Sequence, residues 1–419
     1  MRITQQLWFF PLLMLVATSL SYFPLFQNGL VNWDDDVYIT QNPLIQSFSL
    51  ANISAWFSQP FLGLYQPLVL LSLALDYSVN GSDPVVFHTS NFLLHLINSL
   101  LVFWLIKNLF RNHQIAFFAA LLFGVHTMHV ESVAWATERK NVLFVLFYLS
   151  ALNLYIQYLA QKRTTLLYGV FILFITALFS KASAVTLPLI LVLTDYVKER
   201  NISIKANLQE KMPFFALSFL FGIITLWFHQ QYGSLVNTTE FSLSVRVFIA
   251  GKAFVFYVVN LLFPINLTTY NPMPEELSSG IIVESIFSIV AILFTVWIIF
   301  KFFRHNKKVI WAIGFFIFNT GLFLIPPGVP VLASDRYVYP GSIGIFILLF
   351  MGANYLIITF TRVKAIVISS AVGYTILLGF LSFQQVKTWE NSFYTLEPCF
   401  ECSRGKCFCP DAARECLQS

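Results

Sequence analysis

Charge is what this sequence has least of. Only 11% of its 419 residues are Asp, Glu, Lys or Arg, against about 25% in an ordinary soluble domain, while 57% are hydrophobic. A chain so short of charge cannot cover a water-facing surface, which excludes an ordinary soluble enzyme. Cysteine is missing until Cys399 and then appears as Cys399, Cys402, Cys407, Cys409 and Cys416. Disulfides therefore cannot brace the body of the chain, and its redox compartment cannot be read from them. Internal repeats and low-complexity tracts are absent as well. Between Arg2 and Lys107 there is no Lys or Arg at all.

What the sequence does have is long apolar runs, recurring along nearly its whole length. A bilayer core about 30 Å thick takes about 20 such residues as an α-helix. The runs predict crossings at roughly 7–26, 91–110, 115–130, 141–160, 165–180, 183–197, 212–229, 281–303, 309–326, 339–358 and 364–383. Two of them, 115–130 and 183–197, are short and require local thinning or burial against neighbours. The fold class is thus an all-α polytopic membrane protein of about 11 transmembrane helices. One membrane domain covers 1–390, and a Cys-containing external tail, not a domain of its own, covers 391–419. The first run, Leu7–Phe26, follows a single Arg2 and lacks a small-residue cleavage site, so it reads as a retained anchor.

The formal net charge of +5 does not mark a nucleic-acid binder, because the cations form short clusters between apolar runs, where they orient a membrane protein. Lys107 with Arg111, Lys162 with Arg163, Lys198 to Lys211, Lys301 to Lys308, and Arg362 with Lys364 mark cytoplasmic connections. The cation-free first stretch then faces the other side. Alternation of sides leaves no single crossing for the apolar stretch Val247–Pro264, which is predicted to be re-entrant or interfacial and to help wall a cavity. The long first external loop, Gln27–Ser90, carries five aspartates and no Lys or Arg, and its apolar stripes suit helices lying in the interface.

Three places can hold chemistry. In Asn32-Trp33-Asp34-Asp35-Asp36, adjacent carboxylates repel, which raises one pKa and suits it to general-base work. A solvated turn or helix cap ahead of Asn42-Pro43 would use the same residues. In the segment from His126 to Trp135, His126 and His129 would share a face of a continuous helix while Glu131 points elsewhere, a poor metal site. Polar residues simply satisfied at the interface are the alternative there. The third group is the few cations placed outside, namely Arg139, Lys140, Lys181, Arg246, Lys252, Arg336 and Lys387. A phosphate at the membrane surface gives them a reason, Arg as a bidentate fork and Lys as a point charge, although snorkelling needs no ligand. Arg336, in Ser334-Asp335-Arg336-Tyr337 at the entrance of a span, is the favoured cation.

Trp33-Asp34-Asp35 with Asn42-Pro43, Ala74-Leu75-Asp76-Tyr77, Phe87-His88 with Asn91 and His95, His126 to Trp135 with Arg139-Lys140, and Asp335-Arg336-Tyr337 occur in that order. In this set the chain resembles bacterial relatives of the transmembrane O-mannosyltransferase family that carries tetratricopeptide repeats, a branch of the GT-C glycosyltransferases. The resemblance implies a GT-C-like bundle, with Asp34 and Asp35 as the first-loop acidic motif and one of them as catalytic base. It implies that His129 and Glu131 sit against a lipid-phosphate donor. Arg139, Lys140, Lys181, Arg336 and Tyr337 are the further candidates for substrate binding. Thr127 stands where the family usually has proline, and Pro340-Gly341 where it has Leu-Pro-Ser. The tail departs most: Cys399 to Ser419 shows no helical-repeat period, and reads as a truncated or frame-shifted stand-in for the repeats rather than a zinc module.

The resemblance implies transfer of a sugar, a hexose such as mannose, from a polyprenyl-phosphate-linked donor to an acceptor hydroxyl on protein or glycan. The reaction would lie on the non-cytoplasmic side of a bacterial inner membrane, or of the endoplasmic reticulum in a eukaryote. Membrane lipid is the expected surroundings, nucleic acid is not an expected partner, no residues are assigned to a metal, and a divalent-metal requirement is left open. The rival reading is a transporter or lipid flippase. Transporters keep ionisable groups near the bilayer midplane, whereas here they gather at span ends, Lys252 excepted.

Overall fold

The computed structural model describes residues 3–200, 203–232, 243–265, 267, 271–272, 279–324, 331–392 and 395. The cysteine-containing tail lies outside them. Fifteen α-helices carry the described chain: α1 Ile3–Ser21, α2 Leu50–Ser58, α3 Pro67–Asn80, α4 Pro84–Phe110, α5 His113–Val125, α6 Val130–Ala134, α7 Arg139–Gln161, α8 Thr164–Ser180, α9 Leu187–Val197, α10 Ile204–Gln231, α11 Leu243–Leu262, α12 Ser279–Ile298, α13 Lys307–Thr320, α14 Ser342–Thr359 and α15 Lys364–Lys387. Seven helices are long and apolar enough to cross a membrane, or eight if the bent pair α5 and α6 is one span. The sequence predicts eleven crossings. The predicted crossings at 7–26, 165–180, 183–197 and 309–326 are shorter helices here, at Phe9–Ser21, Thr164–Ser180, Ala182–Val197 and α13, whereas α11, over Val245–Leu262, is long and apolar enough to cross and is not among the eleven.

Local chemistry sets these boundaries. Asp83 caps α4 by accepting from the Val85 amide, with proline following, and Asn112 caps α5 by accepting from Gln114 and Ile115. Arg111 and Lys162 end α4 and α7 in the left-handed region, at φ 51° and 55°, each closing a last-turn hydrogen bond as an αL cap does. The span expected at 115–130 is broken: α5 stops at Val125, one 3₁₀ turn intervenes, and α6 resumes bent by 59°. The buried His126 meets that break by accepting the Met128 amide on Nδ1.

The apolar stretch expected to be re-entrant is a continuous 20-residue helix, α11. Its last-turn carbonyls end inside the bundle. Leu261 accepts from the ring of His126 at 3.1 Å, and the Tyr374 hydroxyl donates to Leu261 and Leu262. Side-chain donors thereby replace the water that a helix end otherwise needs, as membrane depth demands. By Asn271–Pro272 the chain is paired, antiparallel, with Val331–Ala333, which leads directly into Ser334-Asp335-Arg336.

Candidate active site

One end of the bundle gathers the start of the first loop, the start of α7, the α8–α9 turn and the segment ahead of α14. The first loop is held there from both sides. Gly29 N–H donates to the Glu390 carbonyl at 2.8 Å, the Asn28 amide to Val386 O at 2.9 Å, and His88 contacts Gly29 O at 3.0 Å. Asp35 is the clasp: one carboxylate oxygen accepts from Val31 N–H and the other from Thr137 N–H, each at 3.0 Å. This ties the loop to the entrance of α7. Burial pushes the Asp35 carboxyl up to about 7, opposed by those same two amides.

Asp34 is placed differently. Among the described residues its carboxylate takes no hydrogen bond or ion pair, and it lies half-buried within the field of Lys140, Glu138 and Arg336. Burial raises its pKa above the ordinary carboxylate range, with Lys140 pulling it back. Of the two aspartates, Asp34 is the one free to take a proton. The expected result of Asp35→Asn is a loss of about 1 to 3 kcal/mol of stability, because an amide can accept from only one of the two buried N–H groups. Thermal unfolding in detergent measures it; an unchanged melting point would sink the clasp.

The basic side of the cluster is built on two buried glutamates. Glu138 receives Lys140 Nζ at 2.9 Å, Asn141 Nδ2 at 2.6 Å and Arg336 Nε at 3.4 Å. Glu131 accepts from Arg336 N–H at 2.9 Å and from Ser334 Oγ, and pairs with the Arg336 guanidinium. Burial works against the Arg336 charge, but Glu131, Tyr337 and Glu138 outweigh it and keep the group protonated well above its usual range. Lys181 donates to Asn141 Oδ1. Burial pushes its ammonium down to about 8, the charges of Lys140 and Arg336 adding to the effect against Glu138. Trp135 forms the floor: Arg336 and Lys140 lie over its ring at 5.4 and 5.6 Å, and Trp389 stacks beside it at 5.6 Å. Tyr337 stacks on Phe323 at 4.3 Å, with Lys181 over both rings.

Two of the candidate residues lie apart from this cluster. Arg139 turns away from its neighbour Lys140 and is consumed by the fold: Nη2 pairs with Asp76 at 2.6 Å and donates to Phe87 O, Nη1 donates to Ser72, and Nε to Asn91. With its side chain 1% exposed, it locks α3, α4 and α7 together. His129 is likewise fully buried, with one ring nitrogen on Phe123 O at 2.7 Å and the other on Ser342 Oγ at 2.9 Å. Glu131 reaches the cluster as the group that positions Arg336. Sequence reasoning passed over Glu138, Asn141, Ser334 and Trp135. A carboxylate beside Arg139 and Lys140 reads as a local pair, whereas here it joins two cations 196 positions apart. Among the described residues no three of His, Cys, Asp and Glu gather to hold a metal ion.

The chain matches no protein-family model. Protein O-mannosyl-transferase TMTC1 of Mus musculus is 40% identical over 98 residues, 23% of this chain and 10% of the relative. Protein O-mannosyl-transferase F38B6.6 of Caenorhabditis elegans is 26% identical over 61% of this chain and 38% of its own length. The chain thus spans about a tenth to two-fifths of these curated relatives. Among solved structures, the archaeal oligosaccharyltransferase AglB from Archaeoglobus fulgidus, in complex with an inhibitory peptide and a dolichol-phosphate, superposes with a TM-score of 0.52 at 13% identity, over 92% of this chain and 56% of that one. That likeness carries the fold alone. Over parts of its length the chain is thus similar to protein O-mannosyl-transferases, and it shares the overall fold of the archaeal oligosaccharyltransferase.

Proposed function

We propose that this chain is a membrane glycosyltransferase that moves a sugar, a hexose such as mannose, from a polyprenyl-phosphate carrier to a hydroxyl on a protein acceptor. The reading includes about eleven crossings and a site on the non-cytoplasmic side. One observation carries it: Asp34, whose carboxylate takes no hydrogen bond or ion pair among the described residues, lies within the field of Lys140 and Arg336, which Glu131 and Glu138 hold in place. Asp34 takes the proton from the acceptor hydroxyl as its oxygen bonds to the anomeric carbon. The bond from that carbon to the carrier phosphate breaks in the same displacement, and the electron pair leaves on phosphate. Arg336, Lys140 and Lys181 stabilise the growing charge there, each retaining N–H donors beyond those given to the protein. The names of the partial relatives and the fold of a neighbour that holds a dolichol-phosphate support the same chemistry.

Membranes containing the full chain, offered labelled mannosyl and other polyprenyl-phosphate donors with a protein acceptor, test the reading. Transfer from one donor is expected; movement of lipid across the bilayer without transfer would instead make this a flippase. Arg336→Gln is expected to cut turnover by about 100 to 1,000-fold, the usual loss for one preorganised donor to transition-state charge. Glu131→Gln is expected to raise the donor KM with a smaller effect on kcat, because it loosens Arg336 without removing it. Wild-type kinetics in both variants would remove Arg336 from the site.

A further inference from the structure

The far end of the bundle holds a second concentration of charge that the transfer reaction does not use. α7 runs from the candidate site at Arg139 to Gln161, 23 residues or about 34 Å at 1.5 Å per residue, so the two ends are a bilayer apart. There a cleft of about 920 Å³ opens between the ends of α4, α7 and α9, lined by Lys107, Arg111, His113, Lys162, Lys198 and Arg200, and no Asp or Glu lines it. A second cleft shares Arg111 and Lys198 and continues to Lys307 and Lys308.

Part of this charge serves the fold. Lys198 caps α4 by donating to Asn108 O and Leu109 O at 2.7 and 2.8 Å, and Arg200 is forked onto Glu210. Arg111 and Lys162 do neither: among the described residues no carboxylate meets either side chain. Both sit at the rim, exposed, on left-handed backbone that turns them out from the α4 and α7 termini. Among the described residues Lys107 meets only the Trp104 ring, at 4.3 Å. The cations are close enough to act on one another, since burial first and the Arg111 charge second lower the Lys198 pKa. An opening between helix ends with uncompensated cations at two connections, α4–α5 and α7–α8, and room for far more than one phosphate, attracts an anion at the membrane surface.

We infer that this cleft binds a phosphate group, with Arg111, Lys162 and Lys107 as its ligands. The group is an anionic lipid headgroup of that leaflet or a free phosphate, and the two sources share the recognition chemistry: an Arg fork and two Lys point charges on phosphate oxygens. The site is separate from the proposed transfer centre and stands whether or not that proposal survives.

The test uses the full chain in detergent, with native mass spectrometry and thermal unfolding read while phosphatidylglycerol, phosphatidylcholine or pyrophosphate is added. Retention of phosphatidylglycerol at least ten-fold above phosphatidylcholine is expected, and binding of pyrophosphate alone would support the site with a soluble ligand. The triple variant Lys107→Gln, Arg111→Gln, Lys162→Gln should lose that preference. A control, Arg362→Gln with Lys364→Gln, removes two exposed cations that line neither cleft and should keep it. No preference for either anion, a preference surviving the triple variant, or an equal loss in the control would overturn the inference. If the triple variant elutes as aggregate, the single changes Arg111→Gln and Lys162→Gln are each read, and wild-type retention in both overturns it too.

Discussion

Asp34→Asn is expected to lower the rate of sugar transfer by about 100-fold or more, the range that a general base contributes, while leaving the protein folded. The change is nearly isosteric and, because the Asp34 carboxylate takes no hydrogen bond or ion pair among the described residues, it breaks nothing in the frame. Asp35→Asn does the opposite, loosening the loop more than the chemistry. The contrast between the variants is therefore the diagnostic, read as kcat on one side and melting temperature on the other. The same assignment has a pH signature. Burial raises the Asp34 pKa above the usual carboxylate range, and the base works only when ionised. Activity should climb with pH along a limb displaced upward from about 4. Lys181, lowered to about 8, gives the opposing limb as its charge is lost above that pH. A profile whose rising limb stays at 4, or equal transfer by Asp34→Asn, would assign the proton to another group.

The largest effect on stability should come from a residue outside the chemistry. Arg139→Met removes one partner of a buried pair and leaves Asp76 with the Ser90 hydroxyl but no countercharge, a loss of about 3 to 5 kcal/mol. Asn91, Ser72 and Phe87 O lose a donor at the same time. Thermal unfolding in detergent should show the fall, and Arg139→Met with Asp76→Leu should recover much of it, because a paired apolar replacement leaves no stranded charge. Retention of wild-type stability by the single variant would mean that the guanidinium is not the lock between α3, α4 and α7. A large drop in transfer with unchanged melting would return Arg139 to the substrate.

How far the site could be read from sequence turns on a few residues. The helices were legible because bilayer thickness fixes their apolar length, and the cluster of Asp34, Lys140, Lys181 and Arg336 was approachable because cations outside a membrane need a reason. Arg139 and Lys140 show where that reading stops. Consecutive helical residues point about 100° apart, so only one of the pair can face the cluster, and the choice is made by Asp76, 63 positions earlier on another helix. His129 is placed apart from the cluster for a related reason. Its spacing from His126 describes a continuous helix, but the chain breaks between α5 and α6 and turns the ring onto Phe123 O and Ser342. Glu131 and Glu138 read as isolated acids until the strand at Val331–Ala333 delivers Arg336 between them.

The inward-ending helix α11 has a mechanical consequence. Its terminal carbonyls are gripped by His126 and Tyr374, and soon after it the chain pairs with the strand that carries Arg336. Force applied to that helix, by a lipid tail sliding along it or by an acceptor pressing on the outer surface, reaches the guanidinium through Tyr257, whose hydroxyl accepts from the Ser334 amide at 3.4 Å, and through His126, five residues ahead of Glu131. The cation and its helix are in effect one lever, with His126 as its pivot.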